Sequence, residues 1–368
     1  MAVRIATFNT ENLFRRPQVF GMTDHKERQE VLEDYAELVS LLEKESYAAD
    51  KDRIAELIRK HGIYKGDKDS TRQFVVNETR GQHTLFNPRP QGNSTAIDIK
   101  ATGRAAWTGW VELVRDNLDW AAVHNTGRVV AEVDADVLLT VEVEDRLTLE
   151  RFNTQVLGKA LGRRPYPYSM LIDGNDPRGI DIGILSRHPI TTVRSHVFDT
   201  NPARADRRLF SRDCPEFEIE LDDTPLVVLG NHLKSKADDN PDLRLAQAKR
   251  VAEIYRAAQE RTPHVVVAGD LNDNPDSEAV AVLRDTDLRD VMDHPAYHGK
   301  LSGTHGTCKN EGDKIDYVML PPPMWPKVQQ VGLETRGISA KGIDHFDTVK
   351  TRADAASDHA ALYTDLDL

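Results

Sequence analysis

The stretch that most constrains this chain is Val265-Val266-Val267-Ala268-Gly269-Asp270-Leu271-Asn272-Asp273-Asn274-Pro275. Its three β-branched residues read as a fully buried strand. Gly269 lets the backbone turn closely, and Pro275 stops any continuation. Asp270 and Asn272 stand where the strand ends, and two residues apart they share one face of an extended chain. A carboxylate there can bind a metal or orient a water. An amide can donate to a phosphate oxygen without adding negative charge. An ordinary Asx-turn uses the same residue types, so this stretch alone does not decide between the readings.

Other strand-like runs that end alike do decide. Ile5–Asn12 closes on Asn9, Glu11 and Asn12, and Leu226–Ser235 on Asn231 and His232. Lys314–Leu320 opens on Asp316, and Asp358-His359 precedes the last apolar run, Ala360–Tyr363. Val137–Glu144 is a buried strand that suddenly acquires Glu142 and Glu144. One polar strand end is commonplace; several supplying Asn, Glu, Asp and His suggest sheets whose ends converge on one site.

The motifs FNTENLF, VEVED, RGIDIGIL (Arg178–Leu185), NHLKSK, GDLND, KIDYVML and SDH occur here in that order. In this the chain resembles the endonuclease/exonuclease/phosphatase superfamily, the DNase I-like fold. The resemblance covers about residues 1–14 and 107–368. One departure is that Val141 stands where the family often has Gln before its metal-binding Glu; Glu142 itself remains.

Composition fits a large-core globular chain: 368 residues, 39% hydrophobic and 29% charged. No run of about eighteen apolar residues exists, so no membrane span is expected. The N-terminus enters a strand motif directly, without a signal-peptide pattern. The two cysteines, Cys214 and Cys308, lie far apart, which fits a reducing cytoplasm rather than a disulfide framework. A net charge of −12 argues against nonspecific coating of DNA. It does not exclude a nuclease, because metal-site carboxylates inflate the count and a bound cation offsets it locally.

The expected fold is α+β: two packed mixed β-sheets, a β-sandwich, flanked by helices, with an N-terminal helical and hairpin insertion. We read residues 1–368 as one domain and about 15–106 as the insertion. Within it, His25–Leu42 and Ala48–His61 read as helices with apolar faces. Gln73–Leu85 and Ser94–Thr102 read as extended arms around a Pro/Gly loop, Asn87–Asn93. Trp107–Val133 reads as helical, with its tryptophans and Leu113 in the core. The insertion leaves the chain just after Asn9 and Glu11. It is expected either to flank the site, with Phe74 and Phe86 as stacking faces and Arg80, Arg89 and Lys100 as cationic contacts, or to serve as a stability cap.

Phosphate ester hydrolysis needs an aligned water, charge neutralisation on phosphoryl oxygens and help for the leaving oxygen. A divalent metal held by carboxylates can meet the last two needs. Glu142 is the first ligand candidate, by resemblance and because an acid ends a buried strand there. Asp358 and Glu11 accompany it, with Asn9 as ligand or phosphate donor. These oxygen donors call for Mg2+ or Mn2+. The resemblance makes His359 a general base or electrostatic partner, oriented by Asp316. It has Asp270 orient the attacking water or take its proton, and Asn272 bind phosphate. His232 with Asn231 forms a second pair on the phosphate, His232 acting on the leaving oxygen with Asp181 as its partner. Arg178 is a candidate phosphate clamp, since a guanidinium can bind two oxygens. His294, His298 and His305 lack such a context and read as surface or loop residues.

Three functions follow. The first is a metal-dependent phosphodiesterase acting on nucleic acid, and the second is hydrolysis of a small phosphoester. The third is a catalytically dead binding module, disfavoured because the full catalytic set is present. The first two share every catalytic residue; substrate choice in a shared fold lies in loops and insertions. Nothing in the sequence calls for an obligate protein partner.

Overall fold

The apolar runs become the central strands of two sheets. The computed structural model describes residues 2–13, 17–22, 24–63, 72–78, 84–91, 94–114, 120–176, 179–221, 224–236 and 240–368. The chain begins with β1 (Ala2–Leu13), α1 (His25–Leu42), α2 (Lys51–His61), β2 (Gly62–Ile63), β3 (Phe74–Glu78), β4 (Phe86–Gln91), β5 (Ser94–Ile99) and β6 (Gly109–Leu113). It continues with α3 (Trp120–Val133), β7 (Val137–Val143), α4 (Arg146–Arg151, prolonged as a π-helix over Phe152–Ala160), β8 (Tyr168–Ile172), β9 (Asp181–Ser186) and β10 (Ile190–Arg194). Next come β11 (Thr200–Asn201), β12 (Arg204–Arg208), β13 (Glu216–Ile219), β14 (Leu226–His232), α5 (Pro241–Gln259) and β15 (Val265–Asp270). The last elements are α6 (Glu278–Arg284), β16 (Arg289–Asp290), β17 (Asp316–Leu320), β18 (Val328–Glu334) and β19 (Ala361–Asp367).

Two compact units result, residues 1–14 with 118–368, and residues 15–117. The larger unit holds two six-stranded sheets, ordered β18-β19-β1-β7-β9-β8 and β10-β13-β14-β15-β17-β16. Each is mixed: β1 runs parallel to β7 and β14 parallel to β15, while their other neighbours are antiparallel. The period of two along a strand sorts the side chains. Ile5, Leu139 and Ile184 of one sheet meet Val228, Val266 and Val318 of the other in the inner core. Val227, Val265 and Val267 face the opposite way, against Ala248, Val251 and Tyr255 of α5. Ala6, Phe8 and Leu138 pack under Val129 and Val130 of α3. Burial on both faces is why β15 reads as an unbroken valine run. Each such side chain contributes about 1.5–3 kcal/mol by leaving water. This is the α+β sandwich the sequence implies. Among the described residues, no helix is long and apolar enough to cross a membrane.

The smaller unit has its own core, in which Leu38 of α1, Ile54, Leu57 and Ile58 of α2 and Phe74 of β3 are fully buried. It extends past the expected boundary at 106 because β6 pairs antiparallel with β3. Trp107–Val133 is therefore not one helix. Val111 and Leu113 alternate with the more exposed Trp110 and Glu112, a period of two, and the helix starts only at Trp120. Trp107 is buried, but Trp110 is 55% exposed and is not core. The expected Pro/Gly loop is mostly strand β4, paired with β5 in a two-stranded ribbon. Each ribbon strand has an unpaired side where a proline's missing N–H is tolerated. Phe74 and Phe86 are buried in the core, so neither is a stacking face. Arg80 and the Arg89 side chain lie outside the described residues, and Lys100 is paired with Asp98.

Gly269 closes β15 at φ 125°, where a Cβ would lie 2.0 Å from the Asn231 carbonyl oxygen. Gly269→Ala should therefore lower stability by at least about 2 kcal/mol, since strain and backbone overlap act together. Denaturant titration checks this, and an unchanged midpoint would contradict it.

Candidate active site

The site is the continuation of the inner faces of both sheets past their last hydrophobic layer. In the second sheet the register sets His232 opposite Asp270, and Asp270 opposite Asp316. All three lie an even number of residues from the inner-core positions Val228, Val266 and Val318. Asn231, one residue off, faces the other way. Its side chain is fully buried; its amide donates to the carbonyls of Leu229 and Ala268, and its oxygen accepts from the Cys214 thiol. The expected phosphate contact from Asn231 is thus corrected. Neighbouring residues on a strand point to opposite faces, and this amide holds the backbone.

The first sheet uses a bulge to reach the same edge. Asn9 pairs with Val141, but the next pair is Leu13 with Val143. Simple alternation would send Glu142 away from the inner face. Instead Glu142 sits at φ 63° and Glu11 at φ 37°. The Thr10 hydroxyl pins the bulge by donating to the Val141 carbonyl at 2.9 Å. Left-handed backbone costs a non-glycine residue roughly 1–2 kcal/mol, and bulges of this kind re-aim side chains. Here the result is that Glu142 Oε1 lies 3.7 Å from His232 Nε2, which is also 3.8 Å from Asp270 Oδ2.

Hydrogen bonds stitch the two sheets together across this edge. Asn9 Nδ2 donates to Asp270 Oδ2 at 3.2 Å, and Asp270 Oδ1 accepts from the Asn272 N–H at 2.7 Å. Asn272, at φ 51°, donates its amide to the Leu233 carbonyl. The Ser357 hydroxyl donates to the Asn9 carbonyl and accepts the His359 N–H, which fixes the turn before β19. His359 Nδ1 then meets Asp316 Oδ2 at 2.8 Å, an oxygen that also accepts from the Thr304 hydroxyl at 2.8 Å. The His359–Asp316 partnership read from the sequence is present as geometry.

Charge is concentrated here out of water. Burial, then repulsion from Asp316 and Glu142, pushes the Asp270 carboxyl up to about 7. Burial alone would lower His359, but Asp316, Asp270 and Asp358 together hold its pKa well above the ordinary value. Burial would raise Asp358, yet its bond to His305 and the charges of His359 and His305 bring it well below. Burial likewise pushes Asp181 up to about 7, offset in part by the Gly174 N–H it accepts at 2.8 Å.

The acids read as metal ligands come together in part. The Asp358 N–H donates to Glu11 Oε2 at 3.1 Å, and both residues line a cavity of about 200 Å³ with His305 and Arg352. Sequence reasoning missed His305. Its ring packs on His359 with centroids 4.8 Å apart, its backbone bridges to His359, and its Nε2 lies 3.5 Å from Asp358 Oδ2. The only local sign was a Gly-Thr-His-Gly turn ahead of the Asp316 strand. Arg178 lies outside the described residues. Asp145, next to the acidic strand end, caps α4 by accepting the Thr148 N–H.

A model of the Endonuclease/Exonuclease/phosphatase family matches residues 116–359. No curated protein sequence matches the chain. Among solved structures, an endonuclease/exonuclease/phosphatase family protein from Bacteroides thetaiotaomicron is similar at 16% identity and a TM-score of 0.50, covering 67% of this chain and 85% of its own. Truncated TDP2 of Caenorhabditis elegans is similar at 19% identity, with a TM-score of 0.47 over 67% of this chain and 90% of its own. A mannosyl-6-phosphatase of Bacteroides thetaiotaomicron is similar at 15% identity, with a TM-score of 0.49 over 67% and 91%. Likeness at these identities is one of fold. Motif order, two-sheet topology and a match over most of the larger unit agree, and this chain belongs to the Endonuclease/Exonuclease/phosphatase family.

Proposed function

We propose that this family member is a divalent-metal-dependent phosphodiesterase whose substrate class is nucleic acid. The observation that carries the reading is the buried His359–Asp316 pair set against Asp270 and Asn9 on one sandwich edge. Residues 15–117 are, in this reading, an insertion into the catalytic unit rather than a second enzyme.

Glu142, Glu11 and Asp358 would hold the cation, Mg2+ or Mn2+. Their donors are all oxygen, as hard cations require. Burial and then carboxylate repulsion raise Asp270, and a cation nearby would relieve the repulsion. When bound, the metal supplies charge neutralisation on the phosphoryl and leaving oxygens. Asp270 is the residue suited to orient the water and take its proton, because its carboxyl titrates near neutrality. Asp316 keeps His359 protonated, so His359 serves as a charged donor to a phosphoryl oxygen and not as the base. Asn9 and Asn272 each use one amide hydrogen within the protein and have a second to offer phosphate. His232 faces the leaving oxygen, with Asp181 proposed to orient it. Arg178 is proposed as the clamp on the grounds of its chemistry. The open cavity beside Asp358, about 200 Å³, is small. Sites that enclose a small organic ligand run to roughly 300–1,000 Å³. That supports a phosphate in a chain passing over the edge.

Three outcomes are expected. Chelation should abolish hydrolysis of a nucleic acid, and Mg2+ or Mn2+ should restore it. Glu142→Gln should weaken metal binding at least tenfold in calorimetry with the fold intact. Full activity in demetallated protein would refute the metal requirement.

Cation binding should also release protons near pH 7. A cation favours the ionised carboxylate, so the Asp270 pKa falls from about 7 and its proton leaves. Calorimetry in buffers of different ionisation enthalpy measures the release, and Asp270→Asn should remove most of it. Release unchanged in that variant would assign the proton elsewhere.

His359→Ala and Asp316→Asn should each reduce turnover by at least about a hundredfold, the usual scale for a positioned proton-transfer or charged group. Near-normal turnover in Asp316→Asn would break the proposed pairing. Hydrolysis of an inositol phosphate or other small phosphoester, with no action on DNA or RNA, would favour the small-substrate reading.

A further inference from the structure

We propose that the excursion between β10 and β13, Ser195–Pro215, is a docking platform for single-stranded nucleic acid at the rim of the active site. The inference rests on the nucleic-acid reading and specifies where the strand lies. Its base platform is the Phe198–Arg208 stack, and its phosphate contacts are Arg204 and Arg207.

The excursion departs from the rest of the chain in charge and exposure. Within Ser195–Pro215 four arginines face three aspartates, a net charge of +1 in a chain of net charge −12. All five residues of β12 are exposed. Phe198 is 75% exposed, the most exposed large hydrophobic side chain among the described residues. The Arg208 guanidinium lies 4.7 Å from the Phe198 ring centroid and donates to the Phe198 carbonyl at 2.9 Å. That holds the ring in place in solvent instead of letting it collapse onto the core. Asp199 is neutralised by Arg250, so it does not cancel the patch. Arg204 pairs only with its strand neighbour Asp206, and Arg207 makes no ion pair among the described residues. A phenylalanine held flat in water beside arginines is the combination that single strands use, because unpaired bases stack on the ring and phosphates meet the guanidinium groups.

The excursion is tied to the catalytic edge through a short chain of contacts. Arg212 is buried, paired with Asp176, and donates to the Leu233 carbonyl at 3.1 Å. The same carbonyl accepts from Asn272, and Leu233 directly follows His232. On the other side, the Asn175 amide donates to the carbonyls of Val197 and Phe210, while the Asn175 N–H donates to Arg212. Asn175 adjoins Gly174, whose N–H is held by Asp181. The Leu209 N–H to Asp199 carbonyl bond closes the base of the hairpin. The platform is thus anchored to the residues flanking His232 and Asp181, while its tip stays free for a strand.

The test is binding without turnover. Fluorescence anisotropy of a labelled twelve-nucleotide single-stranded DNA would be measured in chelator across a salt series, for wild type, Phe198→Ala and the triple variant Arg204→Ala/Arg207→Ala/Arg208→Ala. Turnover of a small aryl phosphodiester with Mg2+ or Mn2+ would be followed in parallel. The triple variant should bind at least about tenfold more weakly, and its salt slope should flatten by about 1.4, as loss of two phosphate contacts on a single strand requires. Phe198→Ala should weaken binding severalfold with the slope unchanged. Aryl phosphodiester turnover should stay within about twofold in both. Wild-type affinity and slope in the triple variant would overturn the platform and leave the nucleic-acid reading standing. Equal losses on the aryl substrate would make the excursion a support for the site instead. A wild type that hydrolyses the aryl phosphodiester but binds no oligonucleotide would overturn the nucleic-acid reading itself. Binding of the patch to anionic vesicles alone would assign it to a membrane surface and overturn the platform.

Discussion

Glu142, Asp270 and Asp316 are held close together and largely out of water, and the rest of this edge is arranged around that repulsion. Left alone, buried carboxylates protonate or drift apart. Here they cannot drift apart. Asp270 and Asp316 are adjacent rungs of one ladder, so the backbone register fixes their separation. Glu142 is brought in by a bulge whose left-handed residue could relax only if β1 and β7 changed register. Donors aimed at the carboxylates give partial relief: Asn9 and the Asn272 N–H to Asp270, His359 and Thr304 to Asp316. Burial first, and then the repulsion that remains, lifts the carboxyl of Asp270 to about 7. The cation and the proton transfer proposed above would each draw on that concentration of acids.

The same constraint explains which parts of the site were legible in the sequence. Strand ends in acids, amides and histidines stand out because several buried runs stop on such residues, not one. The two-residue period then carries them to one face. That is how Asp270, His232 and Asp316 could be read together. Asn231 shows the limit of reading by adjacency. It stands beside His232 in sequence, but the period that brings His232 inward sends Asn231 outward to the backbone of β15. Glu142 shows the opposite case. Strict alternation would have excluded it, and only a bulge, which has no residue signature of its own, restores it. His305 was hidden for a third reason: it reaches His359 through an isolated bridge between distant segments, and local pattern does not encode such contacts.

Fold elements failed to read where two periods competed. Trp107–Val133 holds enough apolar residues to suggest a helical stripe, yet Val111 and Leu113 obey the period of two. Partner availability decided the outcome: β3 offered an antiparallel edge, and five residues fell into strand. The ribbon of β4 and β5 makes the same point with prolines, which mark a loop in isolation but are tolerated where one side of a strand needs no partner. In both cases the local preference was real, and tertiary pairing outweighed it.

Net charge is the feature most open to misreading. A chain at −12 looks poorly suited to a polyanion, but the sum conceals where the charges sit. Part of the negative excess lies at the catalytic edge, buried or bonded, where a divalent ion would cancel it. The Ser195–Pro215 excursion carries the opposite sign, in water. A phosphate approaching at physiological ionic strength senses charges within about 8 Å, the screening length, and not the total. On the proposed platform it would meet arginines before it meets carboxylates. For a small neutral-bodied ester that order matters little. For a polymer with a charge on every residue it would set the register in which one phosphate reaches the edge while its neighbours are held outside.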